Sequence, residues 1–291
     1  MKLGSADNAE RAARLQLQRI GATIELIAGK VVSVDFNETV SSPSLIDLLK
    51  LRHFSHLRSV DFYETEVTVE VLQALAPLPK LQKISLNCCH VDDAATHALN
   101  GARALQGLYL MDTKVTDNSA DSLEAFTELR CLRIDGTRVS GTTIERVLKT
   151  HKLEELWLDG AQATPACVKS IASCESLQNL TLVGSLVTDE MIKPLARMLS
   201  LRRLTILRAS ITDQAIRAVA LMRKLETLGL NDCKGITDAA PFAECTTLNR
   251  LWLPYTSVTA EGIASFMRAL PNATIWPSRG QATISNPSAT D

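Results

Sequence analysis

Residues 105–117 read LQGLYLMDTKVTD, and their opening pattern of apolar residues, LxxLxL, recurs along most of the chain. The pattern begins at eight positions spaced by 24 residues: Leu57, Leu81, Leu105, Leu129, Leu153, Leu177, Leu201 and Leu225. A fixed period of this length is typical of repeat proteins, in which neighbouring units stack along one axis. The period decides the fold, because each unit must share its core with the next.

Each repeat divides into a strand and a helix. Numbered from the first apolar residue of the repeat, positions 1, 4 and 6 are apolar, as in Leu105, Leu108 and Leu110, which predicts a short strand. Position 11 is usually Val or Ile, and the Thr or Asp that follows it is a typical helix N-cap. Apolar residues then recur at helical spacing, as at Ile216 and Val219, which predicts one buried helix face.

Stacking of such repeats predicts an α/β fold, a solenoid with a curved parallel sheet of about ten strands on its concave face and helices on its convex face. The pattern LxxLxLxxT/C followed by VTDxxI resembles the leucine-rich repeat family, in its cysteine-containing or ribonuclease-inhibitor-like variety. Cys89 and Cys233 occupy position 9, where that variety often has Cys or Asn. The VTD segments and residues 269–275, ALPNATI, are similar to bacterial members. The resemblance implies a protein-binding role.

We expect three regions along the chain. Residues 1–30 are expected to form an N-terminal capping helix, with Ala13, Leu17 and Ile20 on its buried face, and a lead-in strand. Residues 31–276 hold about ten repeats of about 24 residues, and residues 277–291, rich in Ser, Pro, Thr and Ala, are expected to be a disordered tail. The repeat that begins at Leu225 carries one extra residue in its turn, so the joint near Gly235 should be less regular.

Composition limits the classes of partner. The 291 residues carry 31 basic and 32 acidic side chains, a formal net charge of -1, which argues against nucleic acid and against an anionic membrane surface as partners. The sequence has no apolar run near the roughly 18 residues that span a bilayer, and no apolar signal segment at its start. We therefore expect a monomeric cytoplasmic protein.

Motifs for chemistry are absent from the sequence. The seven cysteines are odd in number and form no CxxC, so neither a disulfide framework nor a zinc ribbon is indicated. The sequence has no GxSxG, HExxH, GxxxxGK[ST] or GxGxxG. We expect no enzymatic activity, no cofactor and no metal.

Two groups of residues resemble chemical sites. Residues 88–97 contain Cys88, Cys89, His90, Asp92, Asp93 and His97, but the repeat register spreads these side chains over strand, turn and helix, which favours structural roles over a metal site. Asp135 and Asp159 share position 7 of successive repeats, where we favour a solvated or cation-binding pair of carboxylates over an acid–base pair. Glycines at position 8, Gly136, Gly160 and Gly184, predict a turn with positive φ.

The distribution of aromatic residues indicates a binding surface. All three Trp and all three Tyr fall at positions 5, 7 or 8, which face the concave side, whereas none of the six Phe does. Tyr and Trp are frequent at the centres of interfaces. The candidate partner-binding residues are Tyr63, Tyr109, Arg133, Trp157, Trp252, Tyr255 and Trp276.

These candidates form two expected patches. Tyr109, Arg133 and Trp157 are predicted to be contiguous, with the outer edge of the guanidinium open to a partner carboxylate. Trp252, Tyr255 and Trp276 are predicted to lie together beside the empty position at Gly229. The alternative is that the aromatic residues only pack along the sheet.

Charge adds a weaker signal along the same face. Asp35, Glu38, Asp61 and Glu64 make its first part acidic, and Arg203 and Arg208 make a later part basic, so a partner spanning the face would need complementary charges.

The favoured function is a non-enzymatic protein–protein interaction module that binds a protein or peptide on its concave face. One alternative is a substrate-recognition subunit of a larger assembly such as a ubiquitin ligase, although an F-box needs about 40 helical residues and only about 23 precede the repeats. Another alternative is an enzyme or effector with an unrecognised site.

Overall fold

The computed structural model describes residues 5–37, 39, 42–238 and 240–276. The chain forms two compact units, Met1–His151 and Lys152–Asp291, each built from a sheet and the helices packed on it. The expected tail, residues 277–291, and Glu38 lie outside the described residues. Within the described part of the chain, no helix is both long and apolar enough to cross a membrane.

The first unit contains six strands in the order of the sequence. The strands are β1 Thr23–Ile27, β2 Lys30–Asp35, β3 Ser59–Asp61, β4 Lys83–Ser85, β5 Gly107–Tyr109 and β6 Cys131–Arg133. The α-helices are α1 Ser5–Arg19, α2 Leu45–Leu48, α3 Val69–Leu75, α4 Asp93–Ala98, α5 Ala120–Ala125 and α6 Gly141–Thr150. Short 3-10 helices cover Leu49–His53 and Asp117–Ser119.

The second unit also contains six strands in sequence order. The strands are β7 Glu155–Asp159, β8 Asn179–Val183, β9 Arg203–Leu207, β10 Thr227–Asn231, β11 Arg250–Trp252 and β12 Thr274–Trp276. The α-helices are α7 Pro165–Ala172, α8 Asp189–Ile192, α9 Asp213–Val219 and α10 Ala260–Ala269, and 3-10 helices cover Lys193–Arg197 and Ala240–Glu244. Pro194 and Pro241 lie in these 3-10 helices, because proline lacks the N–H that an α-helix interior needs.

The N-terminal hairpin departs from the expected all-parallel sheet. β1 pairs antiparallel with β2, and the two residues between them, Ala28 and Gly29, both have positive φ, as in a type I′ hairpin turn. α1 buries Ala13 and Leu17, and Gly21 follows it with a φ of 93°. That α1 and β1 cap the first repeat stays a prediction.

The register of the parallel strands is the one that the repeat predicts. Position 5 aligns across the first unit and again across the second, and the two rows are Asp35, Asp61, Ser85, Tyr109 and Arg133, then Trp157, Thr181, Thr205, Gly229, Trp252 and Trp276. The period of 24 residues therefore predicted correctly which side chains lie side by side. The described strands number twelve rather than about ten, because β1 and the short β12 add to the repeats.

Apolar side chains at positions 1, 4 and 6 fill the core between sheet and helices. Leu156 and Leu158 of β7, for example, are fully buried, and all six Phe are buried as well. The rings of Phe36 and Phe62 stack with centroids 5.5 Å apart, whereas those of Phe242 and Phe266 meet edge to face. The three Tyr and three Trp are instead half-buried or exposed, so the sequence correctly separated them from the buried Phe.

Aspartate at position 13 ties four of the repeats to the repeat that follows, a role that the sequence analysis missed. Asp213 accepts hydrogen bonds from the backbone N–H of Thr237 at 2.9 Å and from its hydroxyl at 2.6 Å. Asp189 accepts the same pair from Thr212, and Asp93 the same pair from Thr116. We call these contacts, together with the corresponding ones of Asp117, the aspartate ladder.

The aspartate ladder predicts a loss of stability in acid. Burial opposes ionisation of Asp93, Asp117 and Asp213, but hydrogen bonds outweigh it and lower the pKa of each carboxyl, chiefly those from Ser119 to Asp93, from Thr143 to Asp117 and from Thr237 to Asp213. A carboxyl with a lowered pKa in the folded state stabilises the fold above its unfolded pKa of about 3.9, and this contribution is lost as pH falls through the folded pKa.

We therefore expect urea denaturation to give a nearly constant free energy of unfolding from about pH 7 to 5 and a falling one below about pH 4. Asp213→Asn should be less stable at neutral pH and should show a shallower fall. An unchanged free energy of unfolding at about pH 3 would contradict this role of the ladder.

Candidate functional site

Side chains at positions 3, 5 and 7 form the sheet face opposite the helices, which we call the open face. Burial alternates along β7, where Leu156 and Leu158 are buried while Glu155, Trp157 and Asp159 are half-buried. The open face of each unit is therefore where polar and amphipathic side chains meet solvent.

Tyr109 and Arg133 are neighbours on the open face of the first unit, as predicted. The guanidinium of Arg133 is held by Asp135, with its Nε 2.9 Å from the carboxylate, and it also contacts the sulfur of Met111. Asp135 is buried. The guanidinium therefore has a carboxylate partner within the unit, which the sequence analysis missed, although the i, i+2 spacing on one strand face is visible in the sequence.

The ring of Tyr109 lies beside the ammonium group of Lys83, which the sequence analysis did not name. The ammonium of Lys83 is 4.6 Å from its ring centroid, because Lys83 sits at position 3 of the neighbouring strand β4. Such a contact is a cation–π interaction. Trp157, the third member of the expected patch, belongs to the second unit.

Tyr63 follows β3 and is exposed. Hydrogen bonds to the Cys88 thiol and to the Glu64 carboxylate raise the pKa of Tyr63 to about 12. The phenol therefore stays protonated at neutral pH. Tyr63 lies two strands away from Tyr109 and does not extend that patch.

A groove of about 410 Å³ opens on the open face of the second unit. Trp157 forms one wall and Trp252 the other, and Thr205 and Gly229 lie between them at position 5. Four strand spacings separate the two tryptophans, roughly 19 Å. The volume is within the range of sites that bind small molecules or peptide side chains.

The two walls are supported differently. Trp157 donates its indole N–H to Glu155 at 2.7 Å. Trp252 is 43% exposed, and its ring packs against that of Trp276 with centroids 4.7 Å apart. Trp276 therefore supports the Trp252 ring from behind but does not itself line the groove. The predicted neighbourhood of Trp252 and Trp276 beside Gly229 is present.

Tyr255 lies outside the groove. It follows β11 in a left-handed conformation with a φ of 61°, and the ammonium of Lys234 is 5.7 Å from its ring centroid. Lys234 also donates to the Tyr255 carbonyl at 3.2 Å. Tyr255 is therefore part of the turn after the strand.

Position 8 is left-handed in most repeats. Gly136 and Gly184 have the positive φ that the sequence predicts, whereas Gly160 does not. Gly160 is instead required by close packing, because an added Cβ would lie only 2.7 Å from the Cβ of Leu186. Six residues other than glycine adopt the same conformation at this position: Glu64, Cys88, Asp112, Arg208, Asp232 and Tyr255.

The residues that suggested chemistry have structural contacts. Cys89 is buried and donates to the Phe62 carbonyl, and Asp92 caps α4. His90 and His97 are exposed. Among the described residues, no group of three or more His, Cys, Asp or Glu side chains is arranged to hold a metal ion.

The two aspartates at position 7 are each engaged within their own unit. Asp135 accepts from Arg133. Asp159 accepts from the backbone N–H of Ala161 at 2.8 Å and of Gln162 at 3.2 Å, which shapes the turn after β7.

Comparisons with known proteins identify the fold. No protein-family model and no curated protein matched the chain. An internalin, inlF, from Listeria monocytogenes is similar in structure, with a TM-score of 0.56 and 20% identity over 94% of this chain and 75% of that chain. A leucine-rich repeat protein from Leptospira interrogans gave a TM-score of 0.42 with 14% identity over 78% of this chain and 74% of that chain.

These neighbours are bacterial leucine-rich repeat proteins. The chain has the leucine-rich repeat fold, as its sequence predicted, with a parallel sheet and α/β class. Membership of the cysteine-containing or ribonuclease-inhibitor-like variety stays a prediction.

Proposed function

We propose that this leucine-rich repeat chain is a non-enzymatic interaction module that binds a protein or peptide on its open face. The observation that carries the proposal is the groove between Trp157 and Trp252. Large amphipathic rings that border a concave, partly apolar space are typical of the centres of protein interfaces. Within the groove Gly229 leaves room for a side chain from a partner.

The exposure of Trp252 favours binding over packing. A tryptophan that only stabilised the sheet would be covered by its neighbours, whereas Trp252 packs on Trp276 with one side and remains 43% exposed. Burial of that surface by a partner would contribute to affinity.

A cytoplasmic location is part of the proposal. None of the seven cysteines, all of which are described, forms a disulfide. Burial raises the pKa of the Cys89 thiol to about 11 and that of Cys245 to about 12. Such thiols fit a reducing compartment.

Trp252→Ala is expected to weaken partner binding by about 2 kcal/mol, roughly thirtyfold in Kd, because truncation removes one wall of the groove. Partners would be captured from a lysate of the source organism with the wild-type chain and identified by mass spectrometry. Their affinities for wild type and variant would then be measured by isothermal titration calorimetry.

Leu221→Ala is the matched control, because Leu221 is also an exposed apolar residue of the second unit but does not line the groove. Urea midpoints of both variants would report folding. A large loss of stability in Trp252→Ala together with unchanged affinity would assign the ring to packing and refute the proposal.

A further inference from the structure

Two arginines border the groove on the same side. Arg203 of β9 and Arg250 of β11 both occupy position 3, and they flank Thr227 of β10. Neighbouring strands are about 4.8 Å apart, so the two backbones are roughly 10 Å apart and both guanidinium groups can reach the space above Thr227. Both side chains are exposed.

These two guanidinium groups differ from that of Arg202, which lies next to Arg203 in the sequence. Arg202 is ion-paired with Glu226. Within the described part of the chain, Arg203 and Arg250 make neither an ion pair nor a side-chain hydrogen bond. The nearest acidic residue at position 3, Glu155, accepts from Trp157 at the far wall. The groove therefore has a positive side without an internal counter-charge.

Gly229 lies two residues after Thr227 on the same strand, so both positions face the groove. An added Cβ at Gly229 would lie 3.2 Å from the methyl carbon of Thr205, so apolar atoms line this part of the floor. Leu207 and Trp252 border the same part of the groove. The site above Gly229 is therefore largely apolar, with the Thr205 hydroxyl and Asn231 as its polar neighbours, and the site above Thr227 is positive.

We propose that the groove recognises an extended acidic peptide segment of a partner protein. A carboxylate of the segment lies between Arg203 and Arg250, and an apolar side chain two residues away fills the space above Gly229. Side chains at i and i+2 of an extended chain point the same way about 7 Å apart, the spacing of the two sites on β10. Arginine suits this role because its planar fork binds carboxylates with two hydrogen bonds. The inference rests on the proposed function of the open face.

The test is selection of short random peptides, displayed on phage, against the full chain. Enriched sequences are expected to carry Asp or Glu two residues from Leu, Ile, Met or Phe. Synthetic peptides from the selection would be measured by fluorescence anisotropy. The double variant Arg203→Gln/Arg250→Gln should bind them at least about tenfold more weakly, the value of a charged hydrogen bond.

Arg208→Gln is the matched control, because Arg208 is an exposed arginine of the same unit that does not line the groove. It should bind the peptides like wild type. Urea midpoints should be similar for all variants, since the substituted side chains are exposed.

The other outcomes separate this inference from the proposed function. One outcome is that the enriched peptides lack acidic residues and that Trp252→Ala weakens their binding whereas the double variant does not. This outcome would refute the acidic-peptide inference but would still support the open face as a binding surface. Peptides insensitive to both variants would overturn both proposals. Failure to enrich any peptide would also overturn the acidic-peptide inference.

Discussion

Phe62→Ala is expected to lower the free energy of unfolding of the first unit by about 3–5 kcal/mol, the usual cost of removing a buried phenyl ring. Phe62 is fully buried at position 6 of its repeat, and its ring stacks on Phe36 with an angle of 4° between the planes. The truncation would leave a cavity between two repeats, and one face of the Phe36 ring would lose its packing partner. The surrounding strands are hydrogen-bonded on both sides and can close such a cavity only in part.

Urea denaturation followed by far-ultraviolet circular dichroism would measure this loss. All three tryptophans lie after residue 152, so tryptophan fluorescence reports the second unit and distinguishes the two transitions if they separate. Phe62→Leu is the control, because Leu86 and Leu110 occupy position 6 of the next two repeats. Its loss in free energy of unfolding should be smaller than that of Phe62→Ala. Equal losses in the two variants would show that cavity formation is not the cause.

Gly235→Ala is expected to destabilise the second unit by up to about 3 kcal/mol through overpacking. The added Cβ would lie 2.3 Å from the carbonyl oxygen of Ile211, far inside contact distance, and that oxygen belongs to the backbone of the preceding repeat. Gly235 also pairs with Thr212 in an isolated parallel bridge. The turn can therefore make room only by moving away from its neighbour.

Tryptophan fluorescence during urea denaturation reports this change directly, since the second unit contains all three tryptophans. Gly229→Ala is the control in the same unit, because its added Cβ would lie 3.2 Å from a side-chain methyl carbon that is able to shift. A Gly235→Ala chain as stable as Gly229→Ala would mean that the turn adapts without cost.

The repeat period made most of the fold predictable. Because position 5 recurs every 24 residues, the sequence placed Tyr109 beside Arg133 and Trp252 beside Trp276, and both pairs are adjacent in the sheet. The N-cap expected from the Thr after position 11 is present at Thr212, whose hydroxyl accepts from the Gln214 N–H at 3.3 Å, whereas the Thr188 side chain makes no such bond.

Contacts between repeats were harder to predict. The aspartate ladder joins Asp213 to Thr237, 24 residues on, and the sequence shows both residues in ITD segments without showing that one carboxylate reaches the next repeat. Side-chain direction decides that contact, and a periodic pattern specifies only the face on which a residue lies. The antiparallel hairpin of β1 was missed for a different reason, since its turn at Ala28 and Gly29 lies outside the repeats.

The candidate site was only partly predictable. The two tryptophan walls were predictable, because Trp157 and Trp252 both stand at position 5. The groove between them also depends on the absence of a side chain at Gly229, on Leu207 and on a second arginine, Arg250. The sequence analysis named Arg203 and missed Arg250, although both stand at position 3. The pairing of Arg133 with Asp135 was also missed, because the spacing allows it but does not require it.

The left-handed residues at position 8 have a consequence for how this chain could be stabilised. Six residues other than glycine hold φ between 54° and 61° there, at a cost of roughly 1 kcal/mol each compared with glycine. A change to glycine, the residue present at Gly136 and Gly184, would remove this cost. Glu64, Cys88, Arg208 and Tyr255 are the positions at which a change to glycine would raise stability most, because Asp enters the left-handed region more readily.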